Sequence, residues 1–112
     1  EVLAGDARRE LPPGHDAYLL VEVLHCYDDR AAIEILRRCA GRRVHVIERV
    51  LPARARASAA FLADMHMLVM YGGRERTREE YRELFAAAGL RLLRVTPTSS
   101  WLAILTAAPV GA

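Results

Sequence analysis

Lysine is absent from the 112 residues: all sixteen basic side chains are arginines, set against fourteen acids for a net charge of +2. An arginine-only, alanine-rich composition reads as the coding bias of a GC-rich genome, and the arginines are scattered along the chain. Aromatics make up only 6%, and no basic stripe carries interleaved aromatics, so nucleic acid is not expected as a partner. Two cysteines, Cys26 and Cys39, suggest no disulfide framework. No signal peptide and no apolar run long enough for a membrane span occurs, which points to a reducing cytoplasm and no membrane. Neither Cys-x-x-Cys nor His-x-x-x-His is found among the four histidines and two cysteines, so no metal is expected. A Gly-x-Gly turn, internal repeats and low-complexity segments are missing as well.

What is there is the balance of a compact globular domain, 53% apolar and 27% charged. The length suits one core and is short for a complete cofactor-dependent enzyme. Glu1-Val2-Leu3-Ala4-Gly5-Asp6 reads as the end of a strand already in progress, with no initiator Met, as in part of a longer protein. Leu11-Pro12-Pro13-Gly14 is a loop. The apolar run from Ala17 to Leu24 lacks polar alternation and predicts a parallel strand covered on both faces. Asp28 and Asp29 cap a helix that runs to Gly41, where an unusually short connection leads into a second strand, Arg43 to Glu48. These make a β-α-β unit with a right-handed crossover. Ser58 to Met70 predicts a helix, and Thr77-Arg78-Glu79-Glu80 is a capping box opening another that stops at Gly89. Leu90 to Thr96 and Trp101 to Ala107 form a closing hairpin, placed at the sheet edge or with its second strand inserted.

The run that leads to His25 marks the first candidate for chemistry. An imidazole delivered at the carboxyl end of a buried strand, just before a helix, lies where open α/β sheets place their ligand-facing groups. Gly5-Asp6, the segment from Ala17 to Asp29, Val46 to Pro52, Asp64 to Met70 and Gly72-Gly73-Arg74-Glu75-Arg76-Thr77 follow one another in an order and spacing that carries a resemblance. The chain resembles the carboxyl-terminal half of S-adenosylmethionine-dependent small-molecule O-methyltransferases, the plant caffeate/flavonoid-type and bacterial polyketide-tailoring enzymes. The resemblance covers nearly the whole chain. It implies an α/β fold that is the carboxyl-terminal half of a Rossmann-like class I methyltransferase sheet, with parallel strands, a terminal antiparallel hairpin and helices on both faces. Residues 1–112 would be one part of such a domain, without its Gly-rich cofactor loop and its dimerisation region.

The resemblance also implies roles. His25 occupies the position of the general base that takes a proton from the acceptor hydroxyl, a task suited to a group titrating near neutral pH. Glu48 and Glu75 match the two acids that flank and orient that base; a solvated loop acid beside Arg74 or Arg76 is the plain alternative for Glu75. Cofactor contacts fall at Asp6, Ala7, Val21 and Tyr27. Asp6 matches the acid that accepts from the adenine amino group. Ala7 stands where the family usually has an aromatic or Met, Val21 where many members carry Lys, and Cys26-Tyr27 where Asp-Trp is usual. Asp64, Met67 and Met70 match the helix face that lines the acceptor pocket, although a Met-rich face also suits an ordinary core.

The expected activity is therefore transfer of a methyl group from S-adenosylmethionine to a hydroxyl of a small aromatic secondary metabolite. Its partners would be the acceptor and either the missing amino-terminal part of the same enzyme or a homodimer partner. Two other readings stay open: a non-catalytic half-domain serving as scaffold, and a diverted relative acting on polyketides.

Overall fold

The computed structural model describes residues 11, 14–39, 41–51 and 76–111. Strand β1 (Ala17–Val21), helix α1 (Asp29–Cys39) and strand β2 (Arg43–Glu48) form the expected parallel unit, in a register that sets Ala17 beside Arg43 and Val21 beside Ile47. Asp28 starts α1 by accepting from the Ala31 amide at 2.9 Å, which satisfies one of the orphan donors of the first turn. The helix is left through Gly41, whose φ of 90° lies in the left-handed region and lets so short a connection reverse the chain.

β1 ends at Val21, three residues short of the predicted Leu24. Glu22 adopts a φ of 54°, an uncommon conformation for a non-glycine residue, and a 3-10 turn over Leu24–Cys26 follows. The apolar run continues past the strand because Leu24 is wholly buried in the core from that turn. His25 therefore sits in the 3-10 turn beyond the strand, not on the strand end itself.

Beyond β2, the two-residue strand β3 (Val50–Leu51) pairs in parallel with β4 (Arg76–Thr77). Helix α2 (Arg78–Ala87) begins with the predicted capping box: Thr77 Oγ1 accepts from the Glu80 amide, and Glu80 Oε1 accepts from the Thr77 amide. It stops before Gly89. The hairpin comprises β5 (Leu90–Pro97), which starts where predicted and ends one residue later, and β6 (Ala103–Pro109), which starts and ends two residues later than predicted. Its turn is built on hydroxyls, Thr98 Oγ1 accepting from the Ser100 amide and Ser100 Oγ from the Leu102 amide, both at 3.1 Å. The sheet order is β1-β2-β6-β5, so the last strand is inserted antiparallel between β2 and β5.

α1 and α2 pack against each other and against one face of this sheet. Leu20, Val44, Val46, Leu105 and Ala107 meet Ala32, Ile35, Leu36 and Cys39 of α1 and Tyr81, Leu84 and Phe85 of α2. Each large apolar side chain buried there contributes about 1.5–3 kcal/mol. Burial pushes the Cys39 thiol up to about 11, which keeps it protonated and unreactive. On the opposite face Leu19 and Val21 are exposed; cover for both faces of β1 is thus not present among the described residues. The predicted opening strand and the helix over 58–70 lie outside the described residues.

Candidate active site

Parallel pairing brings the carboxyl ends of β1 and β2 side by side. The Glu22 amide extends the ladder by donating to the Ile47 carbonyl at 2.9 Å. Past that point the chain leaves the sheet and turns over the end of β2. Along β2, Val44, Val46 and Glu48 are buried in alternation with His45 and Ile47, so Glu48 shares the inward face of the two valines while lying at the strand end.

Glu48 has no solvent exposure and His25 only 8%. His25 Nδ1 lies 2.5 Å from Glu48 Oε1, and the His25 backbone amide donates to Glu48 Oε2 at 3.3 Å. One carboxylate thus grips both the ring and the main chain of the same residue. An ionised carboxylate only accepts, so Nδ1 carries the proton in this pair. In the neutral ring Nε2 is then the lone-pair nitrogen, the arrangement a proton acceptor needs.

The turn that carries His25 is held by Arg76, a wholly buried guanidinium. Its Nη1 donates to the Leu24 carbonyl at 3.1 Å and its Nη2 to the Tyr27 carbonyl at 2.9 Å. Its Nε donates to Asp29 Oδ1 at 3.0 Å, with Nη2 2.9 Å from the same oxygen. Arg76 falls in the Gly72-to-Thr77 segment that carries the family resemblance, but its sequence neighbourhood points to no role beyond that of a charge partner for Glu75.

Of the residues singled out by sequence, the structure brings His25 and Glu48 together. Val21 is half-exposed at the end of β1, and Tyr27 is partly buried against the core directly after the His25 turn. Asp6, Ala7, Asp64, Met67, Met70 and Glu75 lie outside the described residues. Among the described residues no three His, Cys, Asp or Glu side chains converge as metal ligands, and no helix is long and apolar enough to cross a membrane.

Residues 1–91 match the family model described as an O-methyltransferase domain. A phenazine O-methyltransferase from Lysobacter antibioticus is 42% identical over 113 residues, a match that covers 96% of this chain and 33% of the relative. The solved structure of a mitomycin 7-O-methyltransferase superposes with a TM-score of 0.90 at 34% identity, over 98% of this chain and 34% of that one. An O-methyltransferase from neocarzinostatin biosynthesis, solved with S-adenosylmethionine and 2-hydroxy-5-methyl naphthoic acid, gives a TM-score of 0.86 at 38% identity, over 98% of this chain and 33% of that one. The chain spans about a third of the length of the curated relatives it matches.

Proposed function

The chain belongs to the O-methyltransferase domain family, and on that premise we propose that the protein carrying it methylates a hydroxyl of a small aromatic metabolite with His25 as general base. The observation that carries this reading is the buried contact of 2.5 Å between His25 Nδ1 and Glu48 Oε1. S-adenosylmethionine, when bound, supplies a methyl group made electrophilic by its sulfonium. The acceptor oxygen must lose its proton as it gains that methyl, and His25 Nε2 is the site that receives it. The imidazolium so formed is stabilised by the Glu48 carboxylate, which also prevents the ring from turning to the other tautomer. Methyl transfer otherwise asks for alignment of the reactants, which is a matter of rigid placement.

The relatives' solved complexes support the cofactor and an aromatic acceptor as ligands of this protein too. Val21 and Tyr27 present apolar and aromatic surface beside the His25 turn, which fits one flank of a flat adenosyl group, with Asp6 and Ala7 as the further contacts. To Asp64, Met67 and Met70 we assign binding of the acceptor and to Glu75 the part of second acid, the roles that the family resemblance implies. The Gly-rich turn for the methionine end comes from the amino-terminal part of the same enzyme, the whole acting as a cytoplasmic dimer.

Steady-state methylation of a phenolic acceptor by the whole protein tests this. His25→Ala is expected to lower kcat by roughly 10²- to 10⁴-fold, the usual range for a lost general base, with little change in KM. Undiminished kcat in that variant overturns the assignment of the base.

A further inference from the structure

The Arg76 side chain is among the largest that are fully buried, and the proton transfer just described does not use it. Burying a guanidinium is costly unless its donors are met by acceptors. Among the described residues, acceptors for these donors come from one short segment: the carbonyls of Leu24 and Tyr27 and the carboxylate of Asp29. Leu24 and Tyr27 bracket His25 on either side. The guanidinium therefore holds the two ends of the turn that presents the imidazole.

The backbone of Arg76 is anchored elsewhere. It pairs with Val50 in the short β3–β4 ladder, two residues beyond Glu48. One residue thus bears on both halves of the acid–base pair: its main chain is registered against β3, which begins two residues after Glu48, and its side chain grips the turn that carries His25. A lysine cannot copy this, because an ammonium is a point charge on a flexible stem, whereas the planar fork reaches several acceptors in set directions.

We infer that Arg76 is a positioning residue for the methyl-transfer site, setting the separation and orientation of His25 relative to Glu48. This rests on the reading of His25 as the base. The test uses the whole protein and two readouts, the steady-state constants and the proton resonance of His25 Nδ1–H in histidine-labelled samples. Arg76→Lys is expected to lower kcat roughly 10- to 100-fold, as lost supporting contacts and small misplacements do. KM should stay unchanged and the Nδ1–H signal should be displaced or broadened. Because Arg76 is buried and its replacement can impair folding, Asp29→Ala provides the second variant. The Asp29 side chain is 56% exposed, and its loss releases one anchor, so a smaller kcat loss with the same displaced signal is expected.

An Nδ1–H signal unmoved in folded Arg76→Lys, or in Asp29→Ala where Arg76→Lys does not fold, overturns the positioning role. So does wild-type kcat in that same variant. Failure of the base reading is separable: full activity in His25→Ala removes the base, while the position of the Nδ1–H signal in the Arg76 and Asp29 variants still reports whether the pair is held.

Discussion

Glu48 spends both carboxylate oxygens on a single residue, one on the His25 ring and one on its amide. Removing the side chain would strand a buried imidazole N–H and a buried amide, each worth about 1–3 kcal/mol when left unmet. Glu48→Gln is the more informative change. It keeps the volume and one acceptor oxygen but loses the charge that favours an imidazolium, and its amide nitrogen competes to fix the wrong ring tautomer. The expected outcome is a kcat lower by at least about tenfold and up to about 10⁴-fold, as when a carboxylate partner of a catalytic histidine is turned into an amide, with KM for the acceptor unchanged. Steady-state kinetics on the whole protein checks it, and wild-type kcat would mean that Glu48 serves packing alone. His25 was legible in the sequence because an imidazole at the end of an apolar run, just before a helix, is a local pattern, and Glu48 was legible through the family resemblance. Arg76 was not: its importance lies in carbonyls about fifty residues away in the chain, and backbone acceptors leave no mark in a sequence.

Among the elements, α2 shows why some boundaries can be read from the chain and others not. Its start is encoded in four consecutive residues, with Thr77 and Glu80 satisfying each other's amides at 3.2 Å and 2.9 Å. Gly89, with a φ of 81°, lies just beyond its end, and both signals act within one turn of the helix. The end of β1 has no such signal. The run stays apolar through Val23 and Leu24, and only the left-handed backbone at Glu22 and the demand of the core for Leu24 convert it into a 3-10 turn. The cap also bears on the site, because Thr77 adjoins Arg76 and pairs with Leu51. Thr77→Ala removes the acceptor for the Glu80 amide and should destabilise the protein by about 1 kcal/mol, the typical worth of such a cap. Urea unfolding followed by far-ultraviolet circular dichroism measures this, and an unchanged midpoint would show that tertiary packing alone holds the start of α2.

At the scale of the whole molecule the order β1-β2-β6-β5 closes the sheet with its last strand inside. A terminal hairpin was evident from two β-rich segments around a Pro-Thr-Ser-Ser turn. Whether it lay at the edge or placed its second strand next to β2 was not, since an apolar strand suits either position. The two-residue ladder of β3 and β4 was equally hidden, because so short a pairing has no periodicity to display. Insertion makes β6 the element that joins the parallel unit to the hairpin. Leu105 has no exposure and its backbone lies between Val46 on one side and Val95 on the other, so its side chain fills the seam where α1, α2 and the sheet meet. Leu93 provides the contrast: it is 37% exposed, at the bulge between Leu92 and Arg94. Leu105→Ala should therefore cost about 2–5 kcal/mol, through lost burial and a cavity that close packing cannot collapse. Leu93→Ala should cost under about 1 kcal/mol, having less buried surface to lose. Urea midpoints at an unchanged slope would separate the two. Equal losses at both positions would mean that β6, although it lies between β2 and β5, contributes no more to the packing of the core than the outer strand does.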